Sequence, residues 1–414
     1  MSELTEKAGR AAAASRALAM CTTEEKNEAL RLVGRGLREN CPSILEANAA
    51  DLARGRENGM SASLLDRLRL TEQRVDGMAE GIDQLVELED PIGEVMESFV
   101  RPNGMKISKI RVPMGVIGMI YEARPNVTAD SSMLSVKAGS AVLLRGSGSA
   151  LESNREITRV IRQALAGSGV PVDSVQLIEE PGHQVVQDMM RLNGYIDLLI
   201  PRGGAGLISQ VVSGSSVPVL ETGVGNCHVY LHADADEEMA MNIVLNAKVQ
   251  RPSVCNAAET LLVHRDFLPK LGRILEALSE RGVAIHADSR ARETFPAADE
   301  ATQKDYATEY LDLEMAVRTV DSLEEAIEHI DRYGTRHTEC IVTGDDAAAA
   351  QFLRRVDAAC VNHNVSTRFT DGFEFGFGAE IGISTQKLHA RGPLGLREIT
   401  TYKYIVQGNG QTRP

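Results

Sequence analysis

Apolar residues near the start of the chain recur at the spacing of an α-helix. Leu30, Val33 and Leu37 lie three and four positions apart, among residues with high helix propensity. Leu64, Leu65 and Leu68 continue the pattern further along. The spacing predicts that residues 5–90 form a helical opening segment.

A different pattern follows between Met96 and Val112. Short runs of alternating apolar and polar residues flank Pro102-Asn103-Gly104, which predicts a β-hairpin or a protruding ribbon. Another alternating stretch, Thr400 to Val406, lies near the end of the chain. We expect this last strand to pair away from the main sheets.

Strands and helices alternate from Gly115 onwards. The strands predicted by short apolar runs are 115–120, 141–144, 174–178, 196–200 and 217–220, and the helices between them include 131–138, 183–192 and 206–212. A further helix is predicted to open with Ser149 and Glu152, which have the spacing of a capping box. Units of this length predict a parallel sheet covered by helices on both faces.

A second series of the same kind begins after Gly225. Helices are predicted at 237–247, 268–280, 323–331 and 347–356, and strands at 259–264 and 339–342. The chain therefore predicts an α/β fold with two parallel-sheet domains.

Composition narrows the class of protein. With 43% hydrophobic and 25% charged residues the chain has the composition of a globular protein, and its formal charge of −14 argues against a polyanion-binding surface. No apolar run approaches a membrane span, and six scattered cysteines suggest reduced thiols, so we expect a soluble cytoplasmic protein. His228 and His232 have no cysteine or carboxylate at a metal-ligand spacing, so no metal is predicted.

Two glycine turns follow strands of the first series. Gly146 follows Arg145, while Gly203 and Gly204 follow Arg202, where a strand passes into a helix. Backbone N–H groups at such a point can bind a phosphate. Neither turn completes GxGxxG, so an ordinary tight turn also explains each one alone. Because two such turns lie at strand ends of one sheet, a nucleotide-binding crevice explains them as well as ordinary tight turns do.

Cys255 differs from most of the other cysteines in its setting. It lies on a short turn between a helix that ends before Pro252 and a predicted strand, close in sequence to Lys248 and Arg251. Cations near a thiol on such a turn can lower its pKa and make it reactive as a thiolate. The alternative is a half-buried structural thiol.

A polar loop over residues 362–372 contains Ser366, Thr367, Arg368 and Asp371. Loops of this composition usually only connect elements. These side chains are also a plausible set of donors and acceptors for the α-amino-acid end of a substrate or for a phosphate.

Six stretches of the sequence carry a resemblance to a known family. They are Ile120-Tyr121-Glu122-Ala123-Arg124-Pro125-Asn126-Val127-Thr128, Leu199-Ile200-Pro201-Arg202-Gly203-Gly204-Ala205-Gly206, Gln250-Arg251-Pro252-Ser253-Val254-Cys255-Asn256, Gly334-Thr335-Arg336-His337-Thr338-Glu339, Ser366-Thr367-Arg368-Phe369-Thr370-Asp371-Gly372 and Ser384-Thr385-Gln386-Lys387-Leu388-His389-Ala390-Arg391-Gly392-Pro393. Over nearly the whole chain the sequence resembles the glutamate-5-semialdehyde dehydrogenases, or γ-glutamyl phosphate reductases, a branch of the aldehyde dehydrogenase superfamily.

The resemblance implies an aldehyde dehydrogenase-like fold in three parts. Residues 1–95 and 114–224 would form a Rossmann-like cofactor-binding domain, residues 225–398 a Rossmann-like catalytic domain, and residues 96–113 with 399–414 a small β oligomerisation element. The same resemblance implies a homo-oligomer. Functional coupling with glutamate 5-kinase is a further hypothesis, motivated by the instability of the acyl phosphate that such a kinase makes.

The resemblance also implies a reaction, the NADPH-dependent reduction of L-glutamyl 5-phosphate to L-glutamate 5-semialdehyde in proline biosynthesis. Cys255 would be the nucleophile that forms a thioester, since a thiolate both attacks and leaves well. The side-chain amide of Asn126 and the backbone N–H of Cys255 would stabilise the oxyanion. Glu221 resembles the general base of relatives that oxidise aldehydes with water, a role that phosphate makes unnecessary here.

Two sets of residues remain candidates for binding. The cofactor-binding candidates are Arg145, Gly146, Arg202, Gly203, Gly204 and, by resemblance to a carboxylate that holds the nicotinamide ribose, Glu309. The substrate and phosphate candidates are Arg124, Lys248, Arg251, Ser366, Thr367 and Arg368. The rival functions are an aldehyde dehydrogenase that hydrolyses its thioester or transfers it to coenzyme A, and a catalytically silent nucleotide-binding protein.

Overall fold

The computed structural model describes residues 2–413. The helices are α1 Glu3–Leu18, α2 Thr23–Glu39, α3 Cys41–Glu57, α4 Ala62–Leu68, α5 Glu72–Glu87, α6 Asn126–Lys137, α7 Leu151–Leu165, α8 His183–Met189, α9 Ala205–Gly214, α10 Glu237–Val249, α11 Leu268–Ser279, α12 Ser289–Thr294, α13 Gln303–Tyr306, α14 Leu323–Tyr333 and α15 Asp346–Arg355. The strands are β1 Val95–Val100, β2 Lys106–Pro113, β3 Val116–Tyr121, β4 Ala141–Gly146, β5 Val175–Leu177, β6 Leu198–Arg202, β7 Cys227–Leu231, β8 Ala258–His264, β9 Ala284–Ala287, β10 Asp299–Glu300, β11 Glu314–Val320, β12 Thr338–Val342, β13 Cys360–His363, β14 Ile383–Ser384, β15 Gly392–Pro393 and β16 Thr400–Gln407.

The chain divides into two compact units. Unit 1 comprises Met1–Thr222, Gly376–Gly382 and Leu394–Pro414, and unit 2 comprises Gly223–Phe375 and Ile383–Pro393. The first boundary falls two residues before the predicted one. Two short segments of the predicted catalytic span, 376–382 and 394–398, instead have most of their contacts in unit 1.

The predicted helical opening is a set of five helices, α1 to α5. Leu30, Val33 and Leu37 of α2 are fully buried, as their spacing predicted. The helix begins at a capping box, in which the backbone N–H of Thr22 donates to Glu25 at 2.7 Å and the N–H of Glu25 donates back to the Thr22 hydroxyl at 3.3 Å. Local sequence therefore defines both the start and the buried face of this helix.

Unit 1 contains a four-stranded parallel sheet in the order β5-β4-β3-β6. Every residue of β3 and β4 is buried, as expected when helices cover both faces of a sheet. The predicted strand at 217–220 does not form a full ladder and makes one bridge, between Val219 and Leu199.

Unit 2 contains a seven-stranded sheet in the order β10-β9-β11-β8-β7-β12-β13, in which every neighbouring pair is parallel. Its central strands β7, β8 and β12 are buried throughout. Because the strands are parallel, the residues that precede them all lie at one end of the sheet, where the strands begin; this end is called the amino edge below. That edge carries the turn with Cys255.

The predicted ribbon and the last strand form one antiparallel sheet in the order β1-β2-β16. Its hairpin turn closes where Arg101 donates its backbone N–H to Met105 at 2.8 Å, with Gly104 in the left-handed region at φ +87°. The hairpin predicted from alternation is confirmed, and the last strand pairs with it and not with the main sheets. A role of this sheet in oligomerisation stays a prediction at this point.

The capping box predicted at Ser149 is wrong. Ser149 lies in a short 3₁₀ turn, and α7 begins at Leu151 without a side-chain cap from its own residues. Asp51 of α3 takes that place, accepting the backbone N–H and hydroxyl of Ser153 at 2.8 and 2.7 Å and the N–H of Glu152 at 3.3 Å. A carboxylate distant in sequence thus satisfies the helix N-terminus.

Candidate active site

Cys255 lies half-buried on the turn between α10 and β8. The helix ends because Pro252 follows closely and disfavours helical backbone in the residue before it. The N–H of Ala257 donates to the carbonyl oxygen of Val254 at 3.1 Å, which closes the turn. The predicted setting of the thiol, on a short turn into a strand, is therefore confirmed.

The main chain of Cys255 is fixed by the segment before β7. A Cβ atom at Gly225 would lie 1.5 Å from the carbonyl oxygen of Cys255, so only glycine fits there. The thiol of Cys227 donates to the same oxygen at 3.2 Å. Burial raises the pKa of Cys227 well above its usual range, which keeps it a donor. Its position at the start of a buried strand gave no signal of this role.

Arg368 lies beside the same turn. Its Nε donates to Oε1 of Gln250 at 2.8 Å, and its Nη1 donates to Oδ1 of Asn256. The amide of Asn256 in turn donates to the carbonyl oxygen of Thr370 at 2.8 Å. Gln250 and Asn256, on either side of the Cys255 turn, therefore bind the guanidinium of Arg368. Asn256, the residue directly after Cys255, also binds the loop that carries Arg368.

Arg368 is electrostatically coupled to Cys255. Burial and the neighbouring charge of Arg251 lower the pKa of Arg368, while Asp371, Cys255 and Cys227 raise it. Arg368 thus acts on Cys255, and Arg251 acts on Arg368. This is the cationic environment that stabilises a thiolate or a leaving phosphate.

Lys248 does not belong to that environment. Its side chain is fully buried, and its Nζ donates to Oε2 of Glu259, also fully buried, at 2.6 Å. Burial lowers the pKa of Lys248 and raises that of Glu259, and the pair offsets this by mutual attraction. The predicted phosphate role therefore does not fit Lys248, because its ammonium group already has a carboxylate and is shielded from solvent.

Glu259 also fixes the turn that carries Glu309. Its Oε1 accepts the backbone N–H of Leu311 at 3.2 Å, and Leu311 has left-handed backbone at φ +56°. Glu309 accepts the N–H of Gly225 at 2.6 Å. The half-buried Glu309, predicted to hold a ribose, is therefore placed next to the glycine that contacts the Cys255 backbone.

A buried polar cluster lies at the starts of β7 and β12, the same edge of the sheet. Nδ1 of His228 is 2.9 Å from Oε2 of Glu339, which also accepts the His228 backbone N–H at 2.9 Å. Nδ1 of His337 is 3.7 Å from the thiol of Cys227. His337 and Glu339 of the motif Gly334-Thr335-Arg336-His337-Thr338-Glu339 thus contact Cys227 and His228, and Cys227 binds the Cys255 backbone.

Ser366 and Thr367 are both buried within their loop. The Ser366 hydroxyl accepts the backbone N–H of Arg368 at 3.2 Å, which shapes the turn before that arginine. These two predicted substrate residues therefore act on the conformation of the loop in this structure, while Arg368 is the member of the set that is partly exposed.

In unit 1, Asn126 is the first residue of α6 and follows the turn that carries Arg124. Its side chain is exposed, and its Nδ2 donates to Oδ2 of Asp130, one helical turn later, at 2.9 Å. Burial raises the pKa of the half-buried Asp130 to about 6, although the Asn126 hydrogen bond and the charge of Arg202 lower it. Sequence reasoning did not single out Asp130.

The two glycine turns of unit 1 differ in what already occupies them. The turn after β4 leads into α7, whose N-terminus holds the fully buried carboxylate of Asp51. Arg145 beside it is buried, and its Nη groups donate to the carbonyl oxygens of Gly146 and Gly182 while its Nε has no partner among the described residues. This turn is satisfied from within the protein.

The turn after β6 is more accessible. The exposed Glu122 carboxylate accepts the N–H of Gly204 at 2.9 Å, so this turn binds an anionic group. A Cβ at Gly203 would lie 2.7 Å from Glu122 and 2.8 Å from Leu207. Because Glu122 is exposed and its carboxylate accepts this N–H, a phosphate can replace the carboxylate at the start of α9. The structure therefore favours Gly203, Gly204 and Arg202 as the phosphate end of a nucleotide site.

Within residues 2–413, no group of three or more His, Cys, Asp or Glu side chains is arranged to hold a metal ion. Over the same residues, no helix is long and apolar enough to cross a membrane.

Comparison with known proteins gives a consistent result. The model of the aldehyde dehydrogenase family matches residues 2–308. The chain is 54% identical to the gamma-glutamyl phosphate reductase of Anoxybacillus flavithermus over 100% of both chains, and 56% identical to that of Moorella thermoacetica over 99% of both. The crystal structure of the gamma-glutamyl phosphate reductase of Thermotoga maritima superposes with a TM-score of 0.97 at 48% identity, over 100% of both chains. The chain therefore belongs to the aldehyde dehydrogenase family, in the branch formed by the gamma-glutamyl phosphate reductases.

Proposed function

We propose that the protein reduces L-glutamyl 5-phosphate to L-glutamate 5-semialdehyde and phosphate, with NADPH as reductant and Cys255 as covalent nucleophile. The observation that carries the proposal is the setting of Cys255. Its backbone is fixed by Gly225 and Cys227, Arg368 is electrostatically coupled to it, and Arg251 lies four residues before it in sequence. The names of the relatives support the substrate, which is an activated acyl group that a thiolate attacks readily.

In the first step the Cys255 thiolate supplies the electron pair for a new C–S bond to the acyl carbon. The bond between that carbon and the phosphate oxygen breaks, and inorganic phosphate leaves with the electron pair. Arg251 and Arg368 are the cations that we assign to this leaving group, since guanidinium groups bind phosphate oxygens in bidentate fashion. No proton is needed if the phosphate leaves as an anion.

In the second step the thioester is reduced. Bound NADPH supplies the hydride equivalent, as nicotinamide cofactors do in this family. The chain's own part is to hold the developing oxyanion, for which we assign the side-chain amide of Asn126 and the backbone N–H of Cys255. Cys255 then leaves as a thiolate when the carbonyl of the semialdehyde re-forms, which returns the nucleophile to its starting state.

We assign the phosphate end of the cofactor to Arg202, Gly203 and Gly204. Their turn already binds a carboxylate through a backbone N–H, which a phosphate can replace. Glu309 is assigned to the nicotinamide ribose because it lies beside Gly225, which contacts the Cys255 backbone. Arg145 stays the candidate for the 2′-phosphate that distinguishes NADPH, although binding there requires its buried guanidinium to leave the carbonyl oxygens of Gly146 and Gly182.

We also propose that the protein is a homo-oligomer assembled through the sheet β1-β2-β16. Val95, Val100, Tyr404 and Val406 on this sheet are each more than half exposed. Such apolar exposure on a narrow antiparallel sheet is typical of an interface. Coupling to the kinase that makes the acyl phosphate stays a hypothesis, which co-purification and transfer of the intermediate without release would support.

The test runs the reaction in reverse, with glutamate 5-semialdehyde, NADP⁺ and phosphate, and follows NADPH formation. The proposal predicts that turnover requires phosphate and is lost in Cys255→Ser. Turnover without phosphate would instead identify an enzyme that hydrolyses its thioester, and turnover that requires coenzyme A would identify an acyl-transferring one. Activity retained in Cys255→Ser would reject the covalent mechanism.

A further inference from the structure

We propose that Asp130 is a positioning residue that fixes the amide group of Asn126 in the orientation required for an oxyanion donor. The inference rests on the proposed function, because it gives Asp130 a role only if Asn126 acts in catalysis. Its starting point is the 2.9 Å hydrogen bond from Nδ2 of Asn126 to Oδ2 of Asp130.

The chemistry of the two groups defines the orientation. An asparagine amide has a donor end and an acceptor end of nearly equal size, so without a partner it can turn over at little cost. An ionised carboxylate only accepts hydrogen bonds. Asp130 therefore selects the NH₂ end of Asn126. Since that nitrogen carries two hydrogens, one binds Asp130 and the second remains for a developing oxyanion.

The fold keeps these two residues together. Both lie on α6, four positions apart, so their side chains emerge on the same face of the helix one turn from each other. Asn126 is the first residue of the helix and its side chain is exposed, whereas Asp130 is half-buried. The exposed end of the pair is thus anchored by a more rigid partner.

Burial opposes the ionisation of the Asp130 carboxyl group. Burial raises the pKa of its carboxyl to about 6, while Asn126 and the charge of Arg202 lower it. A folded pKa above the unfolded value means that the stability contribution of this group is full below the unfolded pKa and is lost as pH rises through about 6. At neutral pH the ionised carboxylate accepts the hydrogen bond from Asn126.

The ionisation also predicts a pH dependence. Above about pH 6 Asp130 is an acceptor and orients the amide, whereas below it the carboxylic acid can donate to Oδ1 of Asn126 and allow the amide to turn over. The groups that act on this titration are Asn126 on the same helix and Arg202 at the end of β6. The acid limb should appear in kcat, which is free of the titration of unbound substrate.

The experiment is a double-mutant cycle on kcat in the phosphate-dependent reverse reaction, with Asn126→Ala, Asp130→Ala and the double variant. Loss of one oxyanion donor lowers kcat by about 10²–10³-fold. Asp130→Ala should lower kcat by no more than that, leave KM for the semialdehyde nearly unchanged, and have no further effect in the Asn126→Ala chain. Asp130→Asn, which retains an acceptor oxygen, should recover part of kcat and lose the limb near pH 6.

Thermal unfolding separates positioning from support of the fold. The inference predicts that Asp130→Ala unfolds at the same temperature as the parent chain or higher, because a carboxylate whose ionisation is opposed by burial has been removed. Equal losses of kcat from Asp130→Ala in the parent and Asn126→Ala chains would overturn the inference, as would a parent-like kcat in Asp130→Ala. A parent-like kcat in Asn126→Ala would overturn the proposed oxyanion role and this inference with it, while leaving the Cys255 mechanism to its own test.

Discussion

The two parallel sheets carry their candidate functional residues at opposite ends of their strands. In unit 1, Asn126 and the Gly203-Gly204 turn follow the carboxyl ends of β3 and β6, where helices begin. In unit 2, Cys255 precedes β8 and therefore lies at the amino edge of its sheet. The first arrangement presents the N–H groups of helix N-termini to anions, whereas the Cys255 turn follows the C-terminus of a helix.

The difference makes side-chain cations important for the reactivity of Cys255. Its turn follows the C-terminus of α10, where the helix dipole is negative and opposes a thiolate. Stabilisation of a thiolate must then come from side chains, and we propose Arg251 and Arg368 as the source of the positive charge. In unit 1 the backbone N–H groups at helix N-termini stabilise anions instead. The carboxylate of Asp51 is bound at the start of α7, and that of Glu122 at the start of α9.

The largest effect is expected at Cys255 itself. Cys255→Ala removes the nucleophile, so kcat of the phosphate-dependent reaction should fall by about 10⁴-fold or more. Cys41→Ser, which changes a half-buried thiol on the first turn of α3, is the matched control and should keep parent activity. Steady-state kinetics on both variants measure this, and comparable losses in the two would contradict the assignment.

Lys248→Met tests whether Lys248 stabilises the fold through its ion pair with Glu259 and does not bind phosphate. The change leaves Glu259 buried without its partner, so the free energy of unfolding should fall by about 3–5 kcal/mol. The double variant Lys248→Met with Glu259→Leu should recover most of it. Denaturant unfolding gives these values; an undiminished stability with weakened phosphate affinity would return Lys248 to the phosphate site.

Arg368→Ala should act on reactivity more than on stability. Loss of its charge should raise the pKa of the Cys255 thiol by about one unit and lower kcat/KM by about tenfold to a hundredfold. The rate of alkylation of Cys255 against pH measures the thiol pKa, in a chain where the half-buried Cys21 and Cys41 have been changed to serine. Arg368→Lys keeps the charge and should recover part of the pKa effect. An unchanged thiol pKa in Arg368→Ala would mean that another group stabilises the thiolate.

The smallest effect is expected at the accessible glycine turn of unit 1. Glu122→Gln removes a negative charge that accepts the Gly204 N–H, so it should strengthen NADP⁺ binding by about two- to fivefold. Asp51→Asn, at the other glycine turn, is the matched comparison and should lower the unfolding temperature without improving NADP⁺ binding. Isothermal titration calorimetry with NADP⁺ measures binding in both variants; improved binding in Asp51→Asn alone would assign the phosphate to the turn after β4.

The sequence predicted features that depend on neighbouring residues. The buried face of α2, the paired ribbon and the turn that carries Cys255 all follow from local periodicity and from Pro252. It did not predict partners that the fold brings together from distant positions. Asp51 caps the helix α7 by accepting the N–H of Ser153, 102 positions later in the chain. No local sequence pattern identifies this cap.

Lys248 shows the same limit at the candidate site. From sequence it is one more cation near Cys255, and its burial depends on Glu259 at the start of a strand that is buried throughout. A charged residue inside such a strand requires a partner of opposite charge, so Glu259 was an available signal. Asp130 offered a similar one through its four-residue spacing from Asn126, which is significant only once Asn126 has a role.

The central claim, that Cys255 carries the acyl group and phosphate releases it, is tested most directly by omitting phosphate. Enzyme mixed with glutamate 5-semialdehyde and NADP⁺ alone should form about one NADPH per active site and stop, with an acyl adduct that peptide mass spectrometry locates on Cys255. Added phosphate should discharge the adduct and restore turnover. Continuous NADPH formation without phosphate, or an adduct on another residue, would contradict the account.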